Sequence, residues 1–149
     1  MSSENCRELA IVRQRRGNDC GPAALATVAA AHGSELNYRD LVDAAALDRQ
    51  GTDLLTVARM AERRGFSTRA VKVGYRAIAD CPLPAIVQFR CLFGGRHFVV
   101  LRDWSVDSVT IADPAIGERT LSRARFMRLS TGYILLVEPS ATVPSACPP

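Results

Sequence analysis

A nearly unbroken run of apolar residues, CGPAALATVAAA at positions 20–31, is the feature that most constrains how this chain can fold. Only Thr27 interrupts the apolar residues between positions 22 and 31. A helix with this composition is apolar on nearly every side and has to be buried on most of them. Asp19 and Cys20 are capping or small residues suited to its start, and Pro22 suits its first turn because its φ is fixed and it lacks an N–H. The run therefore predicts a central helix.

Cys20 lies at the N-terminus of this predicted helix. Unpaired backbone N–H groups and the positive end of the helix dipole favour a thiolate over a thiol there, which makes the sulfur a better nucleophile. The alternative is that Cys20 is a small buried hydrophobe, the commonest fate of a free cysteine. Gln14, six positions upstream, favours the reactive interpretation because its side-chain NH₂ could donate to an oxyanion beside the Cys20 backbone N–H.

A nucleophilic cysteine needs a base, and the chain has two histidines, His32 and His97. Twelve residues of helix at about 1.5 Å each place His32 roughly 18 Å from Cys20. We therefore expect a structural role for His32 at the C-terminal end of the helix, with Gly33 as the cap. His97 begins HFVVLR, whose β-branched and aromatic content is typical of a strand, and it is the candidate base.

Asp113 is the candidate partner of His97. A second strand-like run, SVTIAD, follows the short polar segment DWSVD. If Arg102 pairs with Ser108 across that segment, His97 falls directly opposite Asp113, with Cβ atoms about 5 Å apart, and the carboxylate can orient the imidazole. A one-residue bulge would spoil this register. The alternatives are a satisfied core histidine and a turn begun by Asp-Pro.

These segments together resemble the double-glycine leader peptidases, papain-like cysteine proteases that form the cytosolic N-terminal domain of peptidase-containing ABC transporters. Gln14 with DCG at 19–21 is similar to that family's oxyanion glutamine and nucleophile segment, HFVV at 97–100 to its histidine strand, and DPA at 113–115 to its third-member segment. The resemblance runs from about residue 13 to residue 138 in matching order and spacing, so the joint signal is more specific than any single motif. Relatives without the cysteine bind leaders without cutting them, whereas this chain retains Cys20 and is expected to be competent.

The composition is that of an ordinary globular protein. With 149 residues, 48% of them hydrophobic and 23% charged, the sequence predicts one domain with a real core. The net charge of +4 comes from basic residues scattered along the chain, so we expect no nucleic-acid partner. Five cysteines without a pairing pattern indicate a reducing compartment, and no zinc-type spacing is present, so we expect neither a metal nor a cofactor. The sequence shows no signal peptide and no run as long as a membrane span.

The order of the predicted elements indicates the fold class. Helical spacing of apolar residues occurs at 38–46 and 54–64, after the central helix, and short strands follow at 69–73, 85–89, 97–102, 108–112, 119–121 and 133–137. This order predicts an α+β domain in which the nucleophile helix of a helical N-terminal lobe packs on an antiparallel C-terminal sheet, the papain-like arrangement that the resemblance implies. We expect an N-terminal extension at 1–12, the peptidase domain at 13–139, and a flexible tail or linker at 140–149.

These inferences predict a cysteine endopeptidase in which Cys20 attacks, His97 transfers the proton, Asp113 orients the imidazole and Gln14 stabilises the oxyanion. The resemblance implies that it removes leaders after Gly-Gly from bacteriocin-like or other exported peptides. It also implies partner transmembrane and nucleotide-binding domains of an ABC transporter, and a location at the cytoplasmic side of the bacterial inner membrane or, without a transporter, in the cytoplasm. Two alternatives remain: a catalytically inactive docking domain that binds an export substrate, and an acyl-transfer enzyme acting on another amide. The residues that bind the substrate are not indicated.

Overall fold

The computed structural model describes residues 10–49, 51–91 and 96–140 of the chain. The helices in these ranges are α1 (Cys20–Ala31), α2 (Tyr38–Ala45), α3 (Leu54–Glu62), α4 (Tyr75–Ile78) and α5 (Arg123–Leu129), and the strands are β1 (Phe66–Lys72), β2 (Ala85–Arg90), β3 (Arg96–Trp104), β4 (Val109–Asp113), β5 (Gly117–Leu121) and β6 (Ser130–Pro139). Most of the predicted extension at 1–12 and of the predicted tail at 140–149 lies outside the described residues. Within those residues, no helix has the length and apolar character needed to cross a membrane.

The strands form one antiparallel sheet in the order β1-β6-β2-β3-β4-β5. Side chains of β2 and β3 contribute alternately to two buried clusters, one shared with α1, α2 and α3 and the other on the opposite face around Phe126 of α5. Strands that are covered on both faces carry nearly continuous apolar runs, which explains AIVQF in β2 and FVVL in β3. The sheet is therefore the middle layer of the domain, and its central strand β3 carries His97.

Helix α1 is the buried central helix that the sequence predicts. Every residue of α1 from Cys20 to Ala29 is buried, and the helix packs on β3 and against α2 and α3. Gly21 permits this close packing at the start of α1, because a Cβ added there would lie 2.7 Å from Cγ2 of Thr52 and 3.2 Å from Cγ2 of Val57. The packing of α3 against that glycine thus fixes where Cys20 sits above the sheet.

The predicted helices and strands are all present, with ends that differ by a few residues, but two short helices were not predicted. Helix α5 begins after Ser122, whose hydroxyl accepts a hydrogen bond from the Arg125 N–H at 3.1 Å. Its buried residue Phe126 packs edge-on against Phe89 and Trp104, each at a ring-centroid distance of 5.5 Å. A helix this short, held by one cap and one buried ring, contains too few residues to show a helical period.

The predicted register of the β3–β4 hairpin is wrong at its turn. The prediction paired Arg102 with Ser108 across a five-residue loop, whereas the structure continues β3 to Trp104 and pairs that residue with Val109. The turn is correspondingly tighter, closed by a hydrogen bond from the Ser105 N–H to the Ser108 carbonyl at 3.0 Å. Taken alone, this turn moves the register by three positions and would place Asp113 on the opposite face of the sheet from His97.

Candidate active site

Cys20 is the first residue of α1 and is 4% exposed. Its Sγ lies 3.8 Å from the carbonyl oxygen of Arg96, the first residue of β3. The first backbone N–H groups of a helix have no partner within the helix, and the positive end of the dipole lies beside them. The thiol of Cys20, the first N–H groups of α1 and the start of β3, which carries His97, therefore lie close together.

His97 and Asp113 are in direct contact. His97 Nε2 lies 2.8 Å from Oδ1 of Asp113, whose side chain is buried. The carboxylate only accepts hydrogen bonds when ionised, so Nε2 is the nitrogen that donates. Asp113 also accepts from the Ala115 backbone N–H at 2.9 Å and from the Arg119 guanidinium at 3.2 Å. The ring is thus held through Nε2, and Cys20 is a second neighbour of the ring.

A bulge in β3 brings these two residues to the same face. Between Leu101 and Asp103 the register shifts by one position, so that Val100 pairs with Ala112. One further step along the ladder places Asp113 opposite Val99. His97 lies two residues from Val99 on the same strand and therefore on the same face. Diagonal neighbours of this kind on one face remain within reach of long side chains. His97 and Asp113 are therefore diagonal neighbours and not directly opposite each other, as the sequence predicted. The bulge, which was expected to break the predicted register, places the two residues on the same face of the sheet.

The surroundings of His97 strongly favour its charged form. Burial of the imidazole acts to lower its pKa, but hydrogen bonds to Asp113 and Cys20, together with the negative charges of both groups, raise the pKa of His97 to about 10. Burial likewise acts to raise the pKa of Asp113. It is outweighed by the hydrogen bond and charge of His97 and by the hydrogen bonds from the Ala115 N–H and Arg119, which lower that pKa below its ordinary value. At neutral pH the site therefore holds an imidazolium beside an ionised carboxylate.

Gln14 lies in the loop that approaches the start of α1, and its backbone ties that loop to the segment after Asp113. The Gln14 N–H donates to the Pro114 carbonyl at 2.9 Å, and the guanidinium of Arg13 donates to the carbonyls of Pro114 at 3.3 Å and Ala115 at 2.7 Å. The side-chain Nε2 of Gln14 donates to the Arg16 carbonyl at 2.7 Å. An amide nitrogen carries two N–H groups, so this bond engages one of the two.

His32 is placed where the sequence predicts, away from the cysteine at the end of α1. Its Nε2 lies 3.1 Å from the Val137 carbonyl, and its ring lies 6.1 Å from that of Phe66. Gly33 follows with φ of +81°, and the N–H groups of Gly33 and Ser34 return to carbonyls of α1, which is the usual glycine-ended helix terminus. His32 therefore holds the helix end to the sheet.

Sequence reasoning missed two side chains at the site. Arg119 reaches Asp113 because β4 and β5 form a tight hairpin in which Asp113 pairs with Gly117, and an arginine two residues beyond that glycine was an available signal for a diagonal contact. Tyr38 donates to the Asp19 carboxylate at 2.7 Å. No local signal connects these two residues, because they belong to different elements that meet only in the folded chain.

The geometry supports nucleophilic chemistry at Cys20. A sulfur at a helix start, beside an imidazole that is held by a buried carboxylate, can attack a carbonyl and exchange a proton with its neighbour. Among the described residues, no group of three or more His, Cys, Asp or Glu side chains is arranged to hold a metal ion.

Comparison with known sequences gives consistent matches over nearly the whole chain. The profile of the Peptidase C39 family matches residues 8–142. An uncharacterized protein of Methanothermobacter thermautotrophicus is 36% identical over 129 residues, covering 86% of this chain and 87% of that protein. The lactococcin-G-processing and transport ATP-binding protein LagD of Lactococcus lactis subsp. lactis is 30% identical over 133 residues, which are 88% of this chain and 19% of LagD. The chain thus corresponds to about a fifth of the length of LagD.

Comparison with solved structures confirms the predicted fold. The crystal structure of a double glycine motif protease from an AMS/PCAT transporter, in complex with the leader peptide, superposes with a TM-score of 0.80 at 24% identity, covering 87% of this chain and 91% of that chain. The α+β architecture expected from the sequence, a helical lobe that carries the cysteine packed on an antiparallel sheet that carries the histidine, is therefore that of papain-like peptidase domains.

Proposed function

Because the chain belongs to the Peptidase C39 family, we propose that it is a cysteine endopeptidase that removes N-terminal leader peptides after a Gly-Gly motif. The observation that carries this proposal is the geometry at His97, whose Nε2 is held by Asp113 while the ring also contacts Cys20. His97 is partly buried, and it lies between the carboxylate of Asp113 and the cysteine that begins α1. The same placement is what a thiol nucleophile requires of its base.

In the proposed mechanism, the Cys20 thiolate attacks the scissile carbonyl carbon and a C–S bond forms. The negative charge moves to the carbonyl oxygen, where the Gln14 side-chain N–H and the Cys20 backbone N–H stabilise it. His97 already carries its proton at neutral pH, and it donates that proton to the leaving nitrogen as the C–N bond breaks. Water then attacks the thioester while His97 accepts a proton, and the thiolate departs. Asp113 keeps the imidazole oriented throughout.

The substrate class rests on the resemblance of the motifs and on the similarity to LagD, a lactococcin-G-processing and transport protein. We extend it to a bacteriocin-like or other exported precursor with a double-glycine leader. Export of the product by the transmembrane and nucleotide-binding domains of an ABC transporter, at the cytoplasmic face of the membrane, belongs to the same proposal. So does the assignment of residues 13–139 as the peptidase domain.

The test is cleavage of a synthetic peptide that carries a double-glycine leader followed by a short unrelated sequence, analysed by mass spectrometry. We expect one cut after the second glycine. The matched controls are the Cys20→Ala protein with the same peptide, and the wild-type protein with a peptide whose two glycines are replaced by valine. Both controls should leave the peptide intact.

Two outcomes would replace the proposal with one of its alternatives. If the folded wild-type protein bound the leader saturably but did not cleave it, a docking domain would be favoured. Attack on other amides with no preference for Gly-Gly would favour a different acyl-transfer reaction.

A further inference from the structure

Asp19 is a buried carboxylate immediately before the cysteine, and it does not cap α1. Its side chain makes no hydrogen bond to an N–H of the first turn, although it occupies the N-cap position and is 2% exposed. Its oxygens face backwards along the chain instead. Oδ2 accepts from the Arg15 N–H at 3.1 Å and Oδ1 accepts from the Arg16 N–H at 2.9 Å. The capping role that the sequence suggested for Asp19 is therefore wrong, and its carboxylate belongs to the loop that precedes the helix.

A third donor, from another helix, completes the shell of Asp19. The hydroxyl of Tyr38, the first residue of α2, donates to Oδ2 at 2.7 Å, and the guanidinium of Arg15 lies over the Tyr38 ring at 4.7 Å. Burial and the contact with Asp19 raise the pKa of Tyr38 well above its ordinary value, so the phenol stays a neutral donor. Three donors on one buried carboxylate leave it little freedom to move.

The loop that Asp19 holds is the loop that carries Gln14. The Arg16 carbonyl, one peptide unit from the N–H that Asp19 accepts, receives the hydrogen bond from Gln14 Nε2 at 2.7 Å. The other end of the loop is fixed by the bond from the Gln14 N–H to the Pro114 carbonyl. The orientation of the Gln14 amide is therefore set through a continuous series of contacts: Tyr38 to Asp19, Asp19 to the Arg16 peptide, and the Arg16 carbonyl to Gln14.

We infer that Asp19 is a positioning residue for the oxyanion donor Gln14, with Tyr38 holding the Asp19 carboxylate in place from α2. This inference rests on the proposed function, because it assigns Gln14 to the developing negative charge. Without the Asp19 carboxylate, the Arg15 and Arg16 N–H groups would lose their acceptors and the loop would rearrange to find new ones. The Gln14 amide would then be displaced, and a displacement of about 1 Å is enough to weaken a preorganised donor substantially.

The test separates chemistry that uses an oxyanion from chemistry that does not. Three readouts are compared: kcat and KM for a double-glycine leader peptide, the Kd of a peptide aldehyde ending in Gly-glycinal, and the rate of Cys20 modification by dipyridyl disulfide followed by peptide mapping. The aldehyde forms a hemithioacetal, in which a C–S bond forms and the carbonyl oxygen takes the charge or the proton. Attack on the disulfide exchanges one S–S bond for another and places no charge on oxygen.

We expect Asp19→Ala to lower kcat by at least about 10-fold and to weaken aldehyde binding to a similar degree, with little change in KM and in the rate of disulfide exchange. Gln14→Ala should lower kcat by about 10². Asp19→Ala should then add less than about 2-fold in the Gln14→Ala background, because the two residues act through one group. Tyr38→Phe, which removes one donor and is the milder change, should shift kcat and aldehyde binding in the same direction by a smaller factor.

A matched control distinguishes positioning from general destabilisation. Ser122→Ala removes a genuine cap, that of α5, and should reduce thermal stability without selectively affecting the aldehyde. Fully multiplicative losses in the Asp19→Ala and Gln14→Ala double variant, or equal slowing of disulfide exchange, would overturn the inference. If the wild-type protein cleaves no leader, the proposed function fails, and the aldehyde and disulfide arms still decide whether Asp19 acts through Gln14.

Discussion

His97 Nε2 lies 2.8 Å from Oδ1 of the buried Asp113, and this contact links β3 to β4. The carboxylate is in turn held by the Ala115 N–H and by Arg119. The imidazole consequently has one nitrogen fixed by Asp113, and Cys20 is a further hydrogen-bonding neighbour of the ring.

Cys20 should be the thiol that reacts first, because it combines a helix start with an adjacent imidazolium. After brief, substoichiometric iodoacetamide treatment, peptide mapping should find label on Cys20 before Cys91, even though Cys91 is exposed. Cys20→Ala should abolish cleavage, whereas Cys91→Ala should not. Faster labelling of Cys91 together with residual cleavage by Cys20→Ala would contradict this assignment.

The two histidines should be functionally distinct. His97→Ala removes proton transfer and should lower turnover by at least about 10²-fold. His32→Ala removes a bond to the Val137 carbonyl and should cost about 1 kcal/mol in the free energy of unfolding with little loss of turnover. Single-turnover rates and urea unfolding of both variants provide the measurement, and similar losses of turnover in two folded proteins would be incompatible with the proposed roles.

Asp113→Asn should retain the shape of the side chain and remove its charge. We expect leader binding close to that of the parent, with turnover lowered by at least about 10-fold because control of the imidazole tautomer weakens. Asp107→Asn, in the exposed β3–β4 turn, is the control and should leave turnover unchanged. Equal single-turnover rates for the two variants would show that Asp113 has no catalytic role and serves only in the turn before Pro114.

The charge on His97 should persist well above neutral pH. In the His32→Ala variant one histidine remains, and its ring C–H resonances should show loss of the proton as the pH rises towards about 10. Removing the Asp113 charge should move that midpoint downwards, since burial, which disfavours the imidazolium, then has less opposition. A midpoint near 6.5 in the parent, left unchanged by Asp113→Asn, would show that the ion pair does not form.

Gly21→Ala should destabilise the protein although alanine is the better helix former. The new Cβ would lie 2.7 Å from Cγ2 of Thr52, which precedes α3, and 3.2 Å from Cγ2 of Val57 within it. The start of α1 would have to move away from both, at a cost of about 1–3 kcal/mol. Gly74→Ala, which meets nothing within 4 Å, is the matched control. Urea unfolding should show a lower midpoint for Gly21→Ala, and a stability equal to that of Gly74→Ala would be evidence against close packing at this position.

The amino-acid sequence by itself determined the elements and the candidate residues. The apolar run at 20–31 requires a buried helix whatever surrounds it, because burial is the only environment in which such a helix is stable. The same run places Cys20 at one end and His32 at the other, since the rise per residue of a helix is fixed. After residue 66, the apolar and β-branched composition shows that strands are present, because strands covered on both faces are apolar along most of their length. It does not show where each strand ends.

The tertiary structure decided which side chains meet. The β3–β4 turn shifts the register by three positions from the predicted one, and the bulge between Leu101 and Asp103 shifts it back by one. The face on which Asp113 lies therefore depends on two irregularities of the hairpin. Asp19 likewise bonds to the preceding loop and to Tyr38 instead of capping its own helix. Local propensity does not predict these contacts, because the partners lie far apart in the sequence and become neighbours only when the chain folds.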